Sequence, residues 1–136
     1  MPRGRAVLVI DAGTALTLDF IDPGGQHRGG YILPGRILSQ DALLRETSRV
    51  RFSEDSTVCP LPGRSTAEAV RNGALFSLVA AAAAAARQAR SFWGADFAVV
   101  ITGGDGEAVH DHLVGAGEVC ELVPDLVFDG LGIALP

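Results

Sequence analysis

The sequence predicts one mixed α/β layer domain, its elements in the order β-β-β-α-α-β-α-β and its helices covering the sheet. Three observations carry this. The chain has 136 residues, the size of one domain, and 48% of them are hydrophobic, enough for a packed core. Apolar or alternating runs of strand character lie towards both ends, around an alanine-rich stretch of helical length. Seventeen glycines and seven prolines punctuate those runs with turns. Charged residues are 20% and the net charge is -5. That excludes a disordered polyelectrolyte and argues against a nucleic-acid partner, which needs a basic face.

Residues 6–10, AVLVI, form a continuous apolar run, the mark of a strand buried on both faces. The run is too short for a signal peptide and stops at Asp11. Asp11-Ala12-Gly13 reads as a turn. Over 15–21, Leu16, Leu18 and Phe20 alternate with Thr17 and Asp19, giving a second strand with one polar face. Asp22-Pro23-Gly24-Gly25 is a turn. Residues 26–33 supply a third strand, kinked at Gly29-Gly30, which completes an antiparallel meander. Beyond Pro34-Gly35, the residues Ile37, Leu38, Ala42, Leu43 and Leu44 follow a helical pattern. The polar stretch 47–64 is a long loop of the functional or mobile kind.

Ser65 and Glu68 fit a capping box that opens the longest helix, which runs to about Arg90. Its alanines let another backbone come close. The apolar stretch 73–86 is shorter than the ~20 residues of a membrane span, so a packed soluble helix is expected and no membrane partner. Trp93 is placed as the anchor of the turn that follows. Residues 97–101 form another buried strand, and Thr102-Gly103-Gly104-Asp105 leads into a short helix over 107–114. A last strand is expected over 119–123, then a short terminal helix or coil over 124–135. Two cysteines, Cys59 and Cys120, suit a reduced cytoplasmic chain rather than a disulfide framework.

The sharpest chemical signal is the run from Asp11 to Asp19, DAGTALTLD. A strand delivers Asp11 to a turn, Gly13 allows close backbone approach, and Thr14 offers an amide and a hydroxyl. Such a turn can cradle phosphate oxygens while the carboxylate holds a cation. A plain hairpin capped by Asp11 fits the same spacing. Gly29-Gly30 and Gly35 either clear room for a ligand or serve turns and packing. Ser65-Thr66, at a helix start, suits a carboxylate or phosphate, and equally suits simple capping. Gly103 and Gly104 leave bare backbone that can receive a nucleotide, or form an ordinary strand-to-helix turn. His110 and His112 are two apart and face different sides of a helix, so no zinc site is expected. His27 reads as a strand-surface residue. Neither cysteine has a base beside it.

Taken in order, VIDAGTALTLDF, GGYILPG, the ALLRET helix, RSTAEAVRNG, ITGG and VPDLVFDGLGIAL resemble the C-terminal lobe of type III pantothenate kinases, the Bvg accessory factor family. The likeness spans nearly the whole chain. It implies a single ribonuclease-H-like lobe of the actin and hexokinase superfamily, with ATP in a cleft between two lobes. It implies phosphoryl transfer from ATP to pantothenate, the first step of coenzyme A biosynthesis. By that resemblance Asp11 matches the aspartate that binds potassium or ammonium. Thr14 with Gly13, Gly103 and Gly104 falls to ATP and its Mg2+, and Thr66 to pantothenate. The resemblance also implies a homodimer or a complementary first-lobe chain as partner.

Family members are about twice this length. Their first-lobe Asp-x-Gly-Asn-Thr phosphate loop has no match here, and the Gly-x-Asp-Arg motif that carries the catalytic base is expected ahead of Met1. No catalytic residue is therefore assigned, and the polypeptide alone is expected to have little or no kinase activity. A non-catalytic ligand-binding or regulatory module, or a lobe of another sugar-kinase-like enzyme, fits the same residues.

Overall fold

The structure, a computed structural model, describes residues 4–46 and 58–124. Most of the loop expected over 47–64, and all but the first residue of the terminal element expected over 124–135, lie outside the described residues.

The elements are β1 (Ala6–Ala12), β2 (Ala15–Ile21), β3 (His27–Pro34), α1 (Arg36–Glu46), α2 (Thr66–Trp93), β4 (Phe97–Thr102), α3 (Gly106–Gly115) and β5 (Glu121–Leu122). One five-stranded mixed sheet runs β3-β2-β1-β4-β5. The pairs β1–β2 and β2–β3 are antiparallel, the expected meander. β4 lies parallel to β1 on its other side, and β5 parallel to β4.

The side-chain period of two explains why β1 reads as unbroken apolar sequence. Leu8, Ile10 and Ala12 face α2 and α3 in the main core, with Leu16, Leu18 and Phe20 from β2. Val7 and Val9 face the other way and pack with Ile21 and Val100. Both sets are almost wholly buried.

The main core is closed by one stripe of α2, in which Leu78, Ala82, Ala86 and Ala89 are fully buried. Alanine at three of these places brings the helix close to the sheet. Val109 and Leu113 of α3 pack into the same cluster. By length and hydropathy α2 would pass for a membrane span, but half of its most apolar stretch is buried inside the fold.

Several boundaries differ from expectation. Asp11 and Ala12 are not turn residues: they continue β1, opposite Thr17 and Leu16, and only Gly13 and Thr14 connect the hairpin. Cross-strand bonding, which a local reading misses, carries the strand past its apolar run. α2 continues beyond Arg90 to Trp93 and stops at Gly94, whose φ of 63° lets its amide return to the Arg90 carbonyl. Trp93 is the last helical residue and does anchor the turn that follows: its carbonyl accepts the Asp96 amide at 3.2 Å, and its ring stacks obliquely on Phe20, centroids 6.3 Å apart. The final strand is two residues long, not five: only Glu121 and Leu122 pair in register with β4, at Val100 and Ile101, and the Val123 amide adds one last bond to the Ile101 carbonyl at 2.8 Å.

Candidate functional site

β1 and β4 run parallel and end together, with Asp11 opposite Thr102. In open α/β sheets ligands gather outside such carboxyl ends. Here that end is built from glycines. Gly103 takes a φ of +97°, and a Cβ there would stand 2.6 Å from the Ala12 carbonyl carbon and 2.7 Å from Asp11 Oδ1. Gly35 is as confined, since its Cβ would lie 2.3 Å from the carbonyl oxygens of Gly13 and Thr14. The Gly35 amide donates to the Thr14 carbonyl at 3.0 Å, tying the start of α1 to the β1–β2 turn. The Asp105 amide donates to the Ala12 carbonyl at 3.0 Å, tying the start of α3 to the same place. Gly104 differs: nothing lies within 4 Å of where its Cβ would be, so it presents bare backbone to the outside.

Asp11 is half-buried, flanked in neighbouring strands by Thr17 and Thr102. Burial, and secondarily the negative charge of Asp19, push its carboxyl above the usual aspartate range. A cation beside it would relieve both effects, so the site fits one. Asp19 is held by His27, whose Nε2 lies 2.8 Å from Asp19 Oδ1. His27 therefore has a specific partner and is not merely a strand-surface residue. Gly30 makes room for this pair, because its Cβ would meet Asp19 Oδ1 at 2.7 Å. The kink at Gly29-Gly30 thus serves packing, with Gly29 at a φ of +117°.

Arg36, the first residue of α1, donates through Nε to Asp105 Oδ1 at 3.0 Å. This ion pair straps α1 to α3 across the glycine-rich end. Sequence reading missed it, as it missed Asp19 with His27. The signal for Asp19 was present, since its polar side interrupts β2 on the face it shares with Asp11.

Thr66 sits elsewhere. Ser65 caps α2, its Oγ accepting the Glu68 amide at 3.1 Å. Thr66 lines a shallow depression of about 480 Å³ between α1 and α2, with Ser39, Leu43, Val70, Gly73 and Ser77 among its neighbours. None of Asp11, Gly13, Thr14 or Gly103 lines it. The glycine-rich end and the Thr66 depression are neighbouring features rather than one notch. α1 joins them: Gly35 binds the Thr14 carbonyl, and Ser39, bonded back to Gly35, lines the depression.

The remaining candidates have structural partners. His110 Nδ1 lies 3.1 Å from Asp111 Oδ1, and no cluster of three metal-ligating side chains occurs among the described residues. Cys59 donates its amide to Asn72 Oδ1. Burial, then Glu118 and Asp111, push the Cys120 thiol up, away from a reactive thiolate.

The sequence model of type III pantothenate kinase matches residues 1–88. A curated type III pantothenate kinase of Pseudomonas syringae pv. syringae (strain B728a) is 48% identical over 97% of this chain. Those of Ectopseudomonas mendocina (strain ymp) and Azotobacter vinelandii are 46% and 43% identical. The chain spans about half the length of these relatives, 53% in each case. A solved structure described as a Baf family transcriptional activator from Campylobacter jejuni shares the fold, with a TM-score of 0.63 over 94% of this chain and 56% of that one, at 24% identity.

Proposed function

The chain belongs to the type III pantothenate kinase family, and from that premise we propose that it supplies one wall of an ATP-dependent pantothenate-phosphorylating site, as a ribonuclease-H-like C-terminal lobe acting in the cytoplasm. The observation that carries the reading is the convergence of Asp11, Gly13 and Gly103 where β1 and β4 end, with Gly104 left bare beside them.

Each residue has a role in this reading. Asp11 holds a potassium or ammonium ion, which would balance its crowded charge. Thr14 and Gly13 offer donors to the phosphates of ATP, bound with Mg2+. Gly104 gives the nucleotide a surface without side chains. Gly103 shapes that surface from below, because its own missing side chain is taken up by contact with Ala12 and Asp11. Thr66 contacts pantothenate from the adjoining depression. When bound, ATP supplies the transferable phosphoryl group. Such transfer depends on positioning and charge stabilisation from both sides of a closed cleft. Turnover therefore also needs the part of the site supplied by the other half of the relatives' length. Self-association is part of the same proposal, supported by the exposed apolar side chain of Ile32 on the outer strand β3 and by those of Ile37, Leu38 and Leu43 on α1.

The test is reconstitution. The purified chain, alone and mixed with a complementary first-half chain, is assayed for ATP-dependent phosphorylation of pantothenate in potassium, ammonium or sodium salts. Product is expected only from the mixture, faster in potassium or ammonium, and lost with Asp11→Asn. Phosphorylation of a sugar instead of pantothenate would reassign the substrate. Retained ligand binding without turnover, with every complement tried, would mark a binding module.

A further inference from the structure

Among the described residues, two side chains are buried with a donor atom that meets no acceptor: Arg71 through Nε and Gln40 through Nε2. Each is only 8% exposed. Burial strips the Arg71 Nε–H and the Gln40 amide N–H of their hydration, and leaving a buried donor without an acceptor is costly. Native folds pair nearly all such groups, so an orphan needs an explanation. Both orphaned atoms are donors, and neither can accept a hydrogen bond. What they lack is an acceptor, and the acceptor that suits a permanent cation is an anion.

Their positions in the fold agree with this. Arg71 stands one turn before Leu75, on the stripe of α2 that packs against the sheet. The far end of α2 is fixed beside Phe20 through Phe92 and Trp93. A helix of 28 residues is about 42 Å long, whereas a seven-residue strand covers about 23 Å. The first turns of α2, with Arg71, therefore project towards and past the carboxyl ends of β1 and β4. Gln40 stands one turn after Arg36 on the same face of α1, and Arg36 is the residue that binds Asp105 beside Gly103 and Gly104. The two orphans thus belong to α1, which is tied to the glycine-rich end, and to the turns of α2 that reach the same side of the sheet. Arg36 there is already bound to Asp105.

We infer that Arg71 and Gln40 are anion-binding residues, holding the charged oxygens of a phosphate or carboxylate group on the ligand. The ligand's identity rests on the pantothenate kinase reading, in which both ATP and pantothenate carry such a group. The site itself does not rest on it.

The experiment uses the 136-residue chain with inorganic phosphate as probe, followed by titration calorimetry and thermal unfolding. The variants are Arg71→Met, Arg71→Lys and Gln40→Met. Phosphate is expected to bind and to raise the Tm of the parent chain. Arg71→Met is expected to weaken phosphate about tenfold. It should leave the ligand-free Tm unchanged or higher, since it removes a buried donor that has no acceptor among the described residues. Arg71→Lys, which keeps the charge, recovers part of the affinity, and Gln40→Met loses less than Arg71→Met. The inference is overturned if phosphate does not stabilise the parent, if Arg71→Met binds phosphate as the parent does, or if Arg71→Met lowers the ligand-free Tm. Pantothenate against its neutral alcohol analogue, and ADP against adenosine, then tell which group uses the site. An Arg71-dependent preference for pantothenate assigns the carboxylate, and one for ADP assigns the phosphates. If phosphate binds through Arg71 while neither ligand binds at all, the anion site stands and the kinase reading falls.

Discussion

At the scale of single residues, Asp11 and the two glycines after β4 make separable predictions. The Asp11 carboxyl is pushed up by burial and then by Asp19. The folded chain therefore holds that proton more tightly than the unfolded chain does. The ionised group costs stability at neutral pH, and the cost is relieved as pH falls through the folded pKa. Asp11→Asn is expected to raise the ligand-free Tm slightly at neutral pH and to flatten its rise on mild acidification. Thermal unfolding across that range checks it, and an unchanged profile would count against the electrostatic account. Gly103→Ala forces a side chain into Ala12 and Asp11 at positive φ, with a cost of roughly 1–3 kcal/mol in urea unfolding. Gly104→Ala meets open space and should stay within about 0.5 kcal/mol of the parent. If Gly104 carries the nucleotide, that variant should still lose affinity for ADP.

At the scale of elements, α2 separates local from tertiary stabilisation. Ser65→Ala removes one capping bond and should cost about 1 kcal/mol. Leu78→Ala empties a fully buried position of the main core and should cost roughly 2–5 kcal/mol. Urea titrations of the two variants measure the ratio. The same contrast explains what could be read from the sequence. The alternation of Leu16, Leu18 and Phe20, the burial of β1 on both faces and the Ser65 cap are local patterns, and each marks its element directly. The end of β1 at Ala12 and the shortness of β5 depend on what a strand finds across the sheet, which no local period encodes. In the candidate site, Asp11, Gly13 and Gly103 were legible because glycine and aspartate at a strand end are distinctive. The Arg36–Asp105 pair joins positions 69 apart, and Arg71 looked like one more polar residue of a helix, so neither left a local mark.

At the scale of the whole molecule, β3 is the outer strand of the sheet and Ile32 on it is 82% exposed. An apolar edge of this kind is a pairing surface unless something covers it. Ile32→Asp is expected to shift sedimentation at micromolar concentration from dimer to monomer with little change in Tm. A parent chain that already sediments as monomer would remove self-association from the proposal. The parallel pairing of β1 with β4 has a kinetic corollary. Arg5 and Phe97, which meet at its start, are 92 positions apart, whereas the meander is assembled from neighbours. Closing so long a span is slow relative to hairpin formation. The hairpins are then the early structure during refolding, and the glycine-rich end comes into being only when β4 docks on β1, so any ligand held there would report that late step.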